Sequence, residues 1–145
     1  MFKAVVKSVV VPKIETLIEF IKQSEHSPSE LIRGPMLEFM QSIPGSKISV
    51  VIRLLLSEGR RHPDLLDFYW ENVISRGLTA MTDLLDRGVE RGEFRKTAVS
   101  DIPQMILQPV ILSVVWNMLF EKRSLDTDRL IAAHIDMLLN YIEAE

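Results

Sequence analysis

The sequence predicts an all-α fold, a single-domain helical bundle of about six helices. Apolar residues recur along most of the chain at the i, i+3, i+4 spacing of a helix, and no run alternates with the two-residue period of a strand. Helix starts and stops punctuate those runs at Ser27-Pro28, Pro44-Gly45-Ser46, His62-Pro63, Gly92 and Asp126. The stretch Met105 to Phe120, MILQPVILSVVWNMLF, is apolar on nearly every side and so must be buried all round. Interrupted by Gln108, Ser113 and Asn117, it falls short of the roughly 20 apolar residues that span a bilayer, so protein must cover it.

With 145 residues and 47% hydrophobic content, the chain has the size of one domain, residues 1–145, and can bury a core without staples. It has no cysteine, which excludes a disulfide framework and a thiolate metal site and fits a cytoplasmic protein. The N-terminal run MFKAVVKSVVVPKIE mixes basic and apolar residues at helical spacing, so it does not read as a signal peptide, and no membrane partner is expected. Net charge is −3 and no basic block occurs, so specific DNA binding is not expected of this chain alone.

Phe2, Val5, Val6, Val9, Val10, Ile14, Leu17, Ile18 and Ile21 mark the apolar face of a first helix. Pro12 removes a backbone donor and crowds the carbonyl of Ser8, which predicts a kink or break. The pattern is already in stride at residue 2 without a preceding cap, so a natural chain extending upstream is expected. Ser27 starts the next helix, with Pro28 at its first position and Glu30 placed to close a capping box. Leu31, Ile32, Met36, Phe39, Met40 and Ile43 form its apolar face, with a bend expected at Pro35. Ser46 caps a short helix in which only Ser49 and Arg53 interrupt the apolar run Ile48 to Leu56. That predicts a central position, with a narrow solvent stripe through Ser49, Arg53 and Arg60.

A long helix from near Asp64 to Arg91 should turn Leu66, Tyr69, Trp70, Val73, Gly77, Met81, Leu84 and Gly88 inward. Gly92 is its C-cap, with Phe94 packing back on the last turn. Ser100 or Asp101 caps the central apolar helix, and Asp126 caps a last helix whose apolar residues cover well over half its circumference. That excess predicts a homodimer, the last two helices of each copy forming a four-helix bundle. On the central helix Met105, Gln108, Leu112 and Trp116 share one side and Ile106, Val110, Ser113 and Asn117 another. The second set narrows toward its C-terminal end, which suits close helix approach, so the expected interface is Ile106, Val110, Ser113, Asn117, Ile131, His134, Ile135, Leu138 and Ile142.

Glu58 and His62 stand four apart, a spacing that can bring two metal ligands together. Two ligands do not make a site, and a helix-end pair that also engages Arg61 is the commoner arrangement, so no metal is expected. His134, on an apolar face without a partner for acid–base work, reads as a hydrogen-bonded interface histidine. Ser57 and Ser113 lack a base and an orienting group, no Gly-rich phosphate loop occurs, and Asp83 and Asp86 face solvent. Neither catalysis nor a cofactor is expected.

The run Glu58-Gly59-Arg60-Arg61-His62-Pro63-Asp64-Leu65, with Asp86-Arg87-Gly88-Val89-Glu90-Arg91-Gly92-Glu93-Phe94-Arg95 after it, resembles the C-terminal domain of TetR-family transcriptional regulators. So does the order of the helices that follow, and the resemblance covers essentially the whole chain. It implies a small-molecule-sensing and dimerising domain of a repressor. The helix-turn-helix that reads DNA in that family has no counterpart in this sequence, and Phe2 to Val6 resembles the segment that follows it. DNA would then be a partner only through that missing N-terminal domain.

With that resemblance, the methionines and aromatics invite a pocket reading, since such side chains adapt to apolar guests. Pro35 and Pro109 can hold helices apart. The expected cavity lies between the long and central helices, closed by the Ser27 to Ile43 helix. Its expected lining is Met36, Phe39, Met40, Trp70, Val73, Gln108, Leu112 and Trp116, with Gln108 as the polar contact to an apolar effector. A homodimeric interaction module without a ligand is the alternative; a core solidly filled with side chains would favour it.

Overall fold

The computed structural model describes all 145 residues. It is all-α, with seven helices and no strand. They are α1 (residues 2–23), α2 (Pro28–Ser42), α3 (Lys47–Glu58), α4 (residues 63–90), α5 (Ala98–Asp101), α6 (Gln104–Leu119) and α7 (Thr127–Ile142). The helix beyond the expected number is the four-residue α5, whose start is a capping box between Thr97 and Ser100. Ser27, Ser46 and Asp126 cap α2, α3 and α7, their side-chain oxygens accepting from the N–H groups of Glu30, Ile48 and Arg129. The Glu30 carboxylate turns to His26 Nδ1, 3.0 Å away. No single helix is long and apolar enough to cross a membrane.

Neither Pro12 nor Pro35 breaks its helix. Instead α1 and α2 each contain a π turn, over Val6–Val10 and Ile32–Met36, in which an N–H reaches five residues back: Val11 to Val6, Leu37 to Ile32. One extra residue in the turn shifts the hydrogen-bond register, which lets the helix carry on past a residue with no donor. A third π turn, Trp70–Ile74, lies in α4, where no proline marks it.

That third turn changes which residues face the core. Counting back from Leu84 in steps of three and four puts Trp70 and Leu66 on the inner face, as the periodicity predicted. The inserted residue rotates the N-terminal part of α4 by about 100°, so Tyr69 is buried and Trp70, 52% exposed, stands outside with Leu66. α3 also departs from expectation. Ser49 is buried, its hydroxyl donating to the Ser46 carbonyl at 2.7 Å, while Val50, Leu54 and Leu56 are exposed. This helix therefore packs on one side only, and the solvent stripe expected at Ser49 lies elsewhere.

The largest correction concerns the expected interface. Ile106, Val110, Ser113, Ile131, Ile135, Leu138 and Ile142 are all buried inside the single chain. α6 packs on α7, and α7 packs on α2. The polar residues of the set are also engaged within the chain: Ser113 Oγ donates to the Pro109 carbonyl at 2.6 Å, and Asn117 Oδ1 accepts from the Leu125 N–H. The opposite faces are the uncovered ones, with Leu112, Met118 and Leu119 exposed on α6, Phe120 exposed just beyond it, and Met137 and Tyr141 exposed on α7. Both faces of α6 are apolar, so hydropathy alone cannot rank them.

His134 has a task within the chain. Pro109 has no N–H, so the carbonyl four residues before it, Met105, has no partner within the helix. His134 Nε2 lies 2.7 Å from that oxygen, and since a carbonyl only accepts, this nitrogen carries the proton. The bond ties α7 to α6 at the proline. His134→Ala is expected to destabilise the fold by about 1–3 kcal/mol in urea denaturation, with His134→Gln, which keeps a donor, losing less.

The end of α4 is closed by a compact turn. Gly92 has φ of 73°, and the N–H groups of Glu93 and Phe94 both donate to the Gly88 carbonyl, at 2.8 and 3.0 Å. The buried Phe94 ring then lies directly on Gly88, so close that a Cβ there would overlap it. The chain's C-terminus seals this corner, where Arg95 N–H donates to the Ile142 carbonyl at 2.7 Å and Ala144 N–H to that of Glu93 at 2.8 Å. Arg33 adds two ion pairs to the same region, to Asp136 at 3.0 Å and Glu143 at 3.1 Å.

Candidate functional site

A cavity of about 120 Å³ lies inside the bundle. It is lined by 20 residues, 19 of them hydrophobic, drawn from five helices. α1 contributes Ile14, Leu17, Ile18 and Ile21; α2 contributes Met36, Phe39 and Met40, with Ile43 just beyond it. Ile48 and Ile52 come from α3, and Tyr69, Val73, Ile74, Gly77, Leu78, Ala80 and Met81 from α4. Leu107, Val110 and Ile111 of α6 complete the wall. Val73, Gly77 and Met81 follow at four-residue spacing on one face of α4, and a Cβ added at Gly77 would meet nothing within 4 Å. Leu17 and Phe39 also line a shallow groove with Pro12, Thr16, Phe20 and Pro35, and so form the partition between cavity and groove.

The lining carries no charged side chain. The Tyr69 hydroxyl is the one O–H or N–H group that any lining side chain possesses. Tyr69 is 6% exposed, and burial pushes its hydroxyl up to about 12. Arg87 Nε is the only fully enclosed side-chain nitrogen or oxygen without a hydrogen-bond partner. The Tyr69 hydroxyl, which bonds no protein group, therefore keeps accessible surface, and its residue is one of those that line the cavity.

Of the residues expected to line a pocket, Met36, Phe39, Met40 and Val73 are brought to this cavity. Trp70, Gln108, Leu112 and Trp116 are not. Trp70 is turned out by the π turn, and Gln108 and Leu112 lie exposed on the far face of α6. Trp116 lies against Phe120, ring centroids 4.9 Å apart, and its Nε1 donates to the Arg123 carbonyl at 2.6 Å. The wall of α1 and the Leu107–Val110–Ile111 face of α6 were not anticipated. Tyr69 was legible as an inward residue, and a tyrosine on an apolar face needs an account of its hydroxyl. At Glu58, Arg61 reaches the carboxylate at 3.8 Å, and no three His, Asp or Glu side chains converge anywhere in the fold.

The family whose model matches this chain is described as the tetracyclin repressor-like C-terminal domain, and the match runs over residues 34–137. No curated protein and no solved structure matches it. The chain belongs to the family of tetracyclin repressor-like C-terminal domains.

Proposed function

We propose that this chain is the effector-sensing and dimerising domain of a cytoplasmic transcriptional repressor, the effector being a small apolar molecule held in the cavity described above. The observation that carries the reading is the lining itself, an apolar space between the helices to which α1, α2, α3, α4 and α6 all contribute. An apolar cavity of about 150 Å³ stays dry and takes up benzene, so the space here suits a single ring or a short chain. A larger guest would have to part the helices. Since α1 supplies four wall residues, the guest would act on α1 directly, and in this family architecture α1 leads from the DNA-reading helices. The effector would favour the α1 placement that spaces those helices wrongly for DNA, a shift of population between two arrangements.

The same reading assigns dimerisation to the uncovered faces of α6 and α7. Leu112, Val115 and Leu119 follow at three- and four-residue spacing on α6, and Ala133, Met137 and Tyr141 at four-residue spacing on α7, giving two apolar stripes. α6 would then separate the effector on one side from the partner on the other.

Gly77→Leu tests the cavity. Glycine inside a helix costs about 1 kcal/mol relative to alanine, and here neither backbone conformation nor a neighbour requires it. The variant is expected to be at least as stable as the parent while losing binding of cyclohexane, followed by chemical-shift titration. Undiminished cyclohexane binding by a folded Gly77→Leu protein would rule out this cavity as the site.

A further inference from the structure

Building on the cavity proposed as the effector site, we propose that Tyr69 determines what the domain accepts: an uncharged, largely apolar molecule with one hydrogen-bond acceptor, to which the Tyr69 hydroxyl donates. Three features of the geometry select that chemistry. The lining has no cation, so a carboxylate, sulfonate or phosphate would enter without a counter-charge, and burying an unpaired charge costs far more than the remaining contacts return. The lining has no carboxylate either, which excludes an amine cation by the same argument. Among its side chains it has one polar hydrogen, and that hydroxyl is without a protein partner although its residue is buried. A ligand oxygen placed against that hydroxyl would give it an acceptor within the cavity, worth about one net hydrogen bond.

A hydroxyl can in principle accept as well as donate, so a ligand donor has to be weighed too. An alcohol or amide N–H could bond the Tyr69 oxygen, but the hydroxyl proton would still need an acceptor, and the lining side chains supply none better than the weakly accepting thioethers of Met36, Met40 and Met81. A ligand carbonyl or ether oxygen meets the donor with no polar group left over on either side. Because Tyr69 ionises only near pH 12, the donor is present throughout the neutral range. Recognition should not vary between about pH 6 and about pH 10 for a guest that does not itself titrate.

The test uses three probes built on one ring: cyclohexane, cyclohexanone and cyclohexanecarboxylate, titrated into the parent chain and into Tyr69→Phe at pH 7. The substitution removes one oxygen and keeps the ring, so cavity shape and fold are retained, which a thermal melt checks. Cyclohexanone should bind the parent, and Tyr69→Phe should weaken it by about 5- to 10-fold, the effect of one net hydrogen bond. Cyclohexane affinity should change by less than about twofold, and the carboxylate should not bind measurably. Equal cyclohexanone binding by parent and variant, or carboxylate binding as tight as that of the ketone, would overturn the assignment while leaving the cavity as a site. Failure of all three probes to bind would remove the cavity reading and this one with it.

Discussion

Replacing Leu112 and Met137 together by glutamate is expected to convert a dimer into folded monomers, weakening association by more than about 100-fold, which is about 2.7 kcal/mol. Both residues are largely exposed in the single chain, at 48% and 65%, so two new carboxylates are well solvated in the monomer and cost its fold little. In the proposed seam of α6 and α7 they would lose that water and face an apolar stripe of the second copy. Sedimentation together with circular dichroism reads both consequences. Leu138→Glu supplies the contrast: Leu138 is 6% exposed and packed within the chain, so the charge there should unfold the protein rather than divide it. A parent chain that sediments as a monomer at micromolar concentration, or a double glutamate variant that remains dimeric, would place the contact elsewhere or remove it.

Two glycines of α4 should respond to alanine with opposite signs. Gly88→Ala is expected to destabilise by about 2–3 kcal/mol, although alanine is intrinsically the better helix residue by about 1 kcal/mol. The cause is the Phe94 ring, which is 3% exposed and lies where the new Cβ must go. Phe94 cannot retreat freely, because its own N–H and that of Glu93 are both bonded to the Gly88 carbonyl and Gly92 holds the turn at positive φ. Combining Gly88→Ala with Phe94→Leu, which gives the methyl group room, should cost less than the sum of the two single changes. At Gly77 the added methyl group enters open space, and Gly77→Ala should stabilise by about 0.5–1 kcal/mol. Urea denaturation of the variants measures both signs, and a destabilising Gly77→Ala would show that its inner face is more crowded than the cavity implies.

The two π turns beside proline illustrate how a local signal can be read correctly and resolved differently. Pro12 and Pro35 do disturb the hydrogen-bond ladder, but a helix packed along its whole apolar face keeps more burial by absorbing one residue than by breaking. The proline in α6 is handled by a third party, His134 from α7. Which of these remedies is used depends on what packs nearby, and a proline's sequence neighbours do not record that.

The sequence by itself determined the helical class, the caps at Ser27, Ser46 and Asp126, the closing turn from Gly88 to Phe94, and the inner face of the C-terminal half of α4. Each of these follows from interactions within about one helical turn or from a single uninterrupted period, and such information is carried by neighbouring residues. Only the tertiary structure decided which face of α6 lies within the protomer, and that Trp70 and Leu66 stand outside. It also decided that α1 walls the cavity. The face of α6 could not be read because Ile106 and Leu112 are equally apolar, and burial is a property of what lies opposite. The rotation of α4 was hidden because a π turn adds one residue to one turn without leaving any residue type that requires it, so every position before Trp70 moves off the 3.6-residue count that serves every position after Ile74.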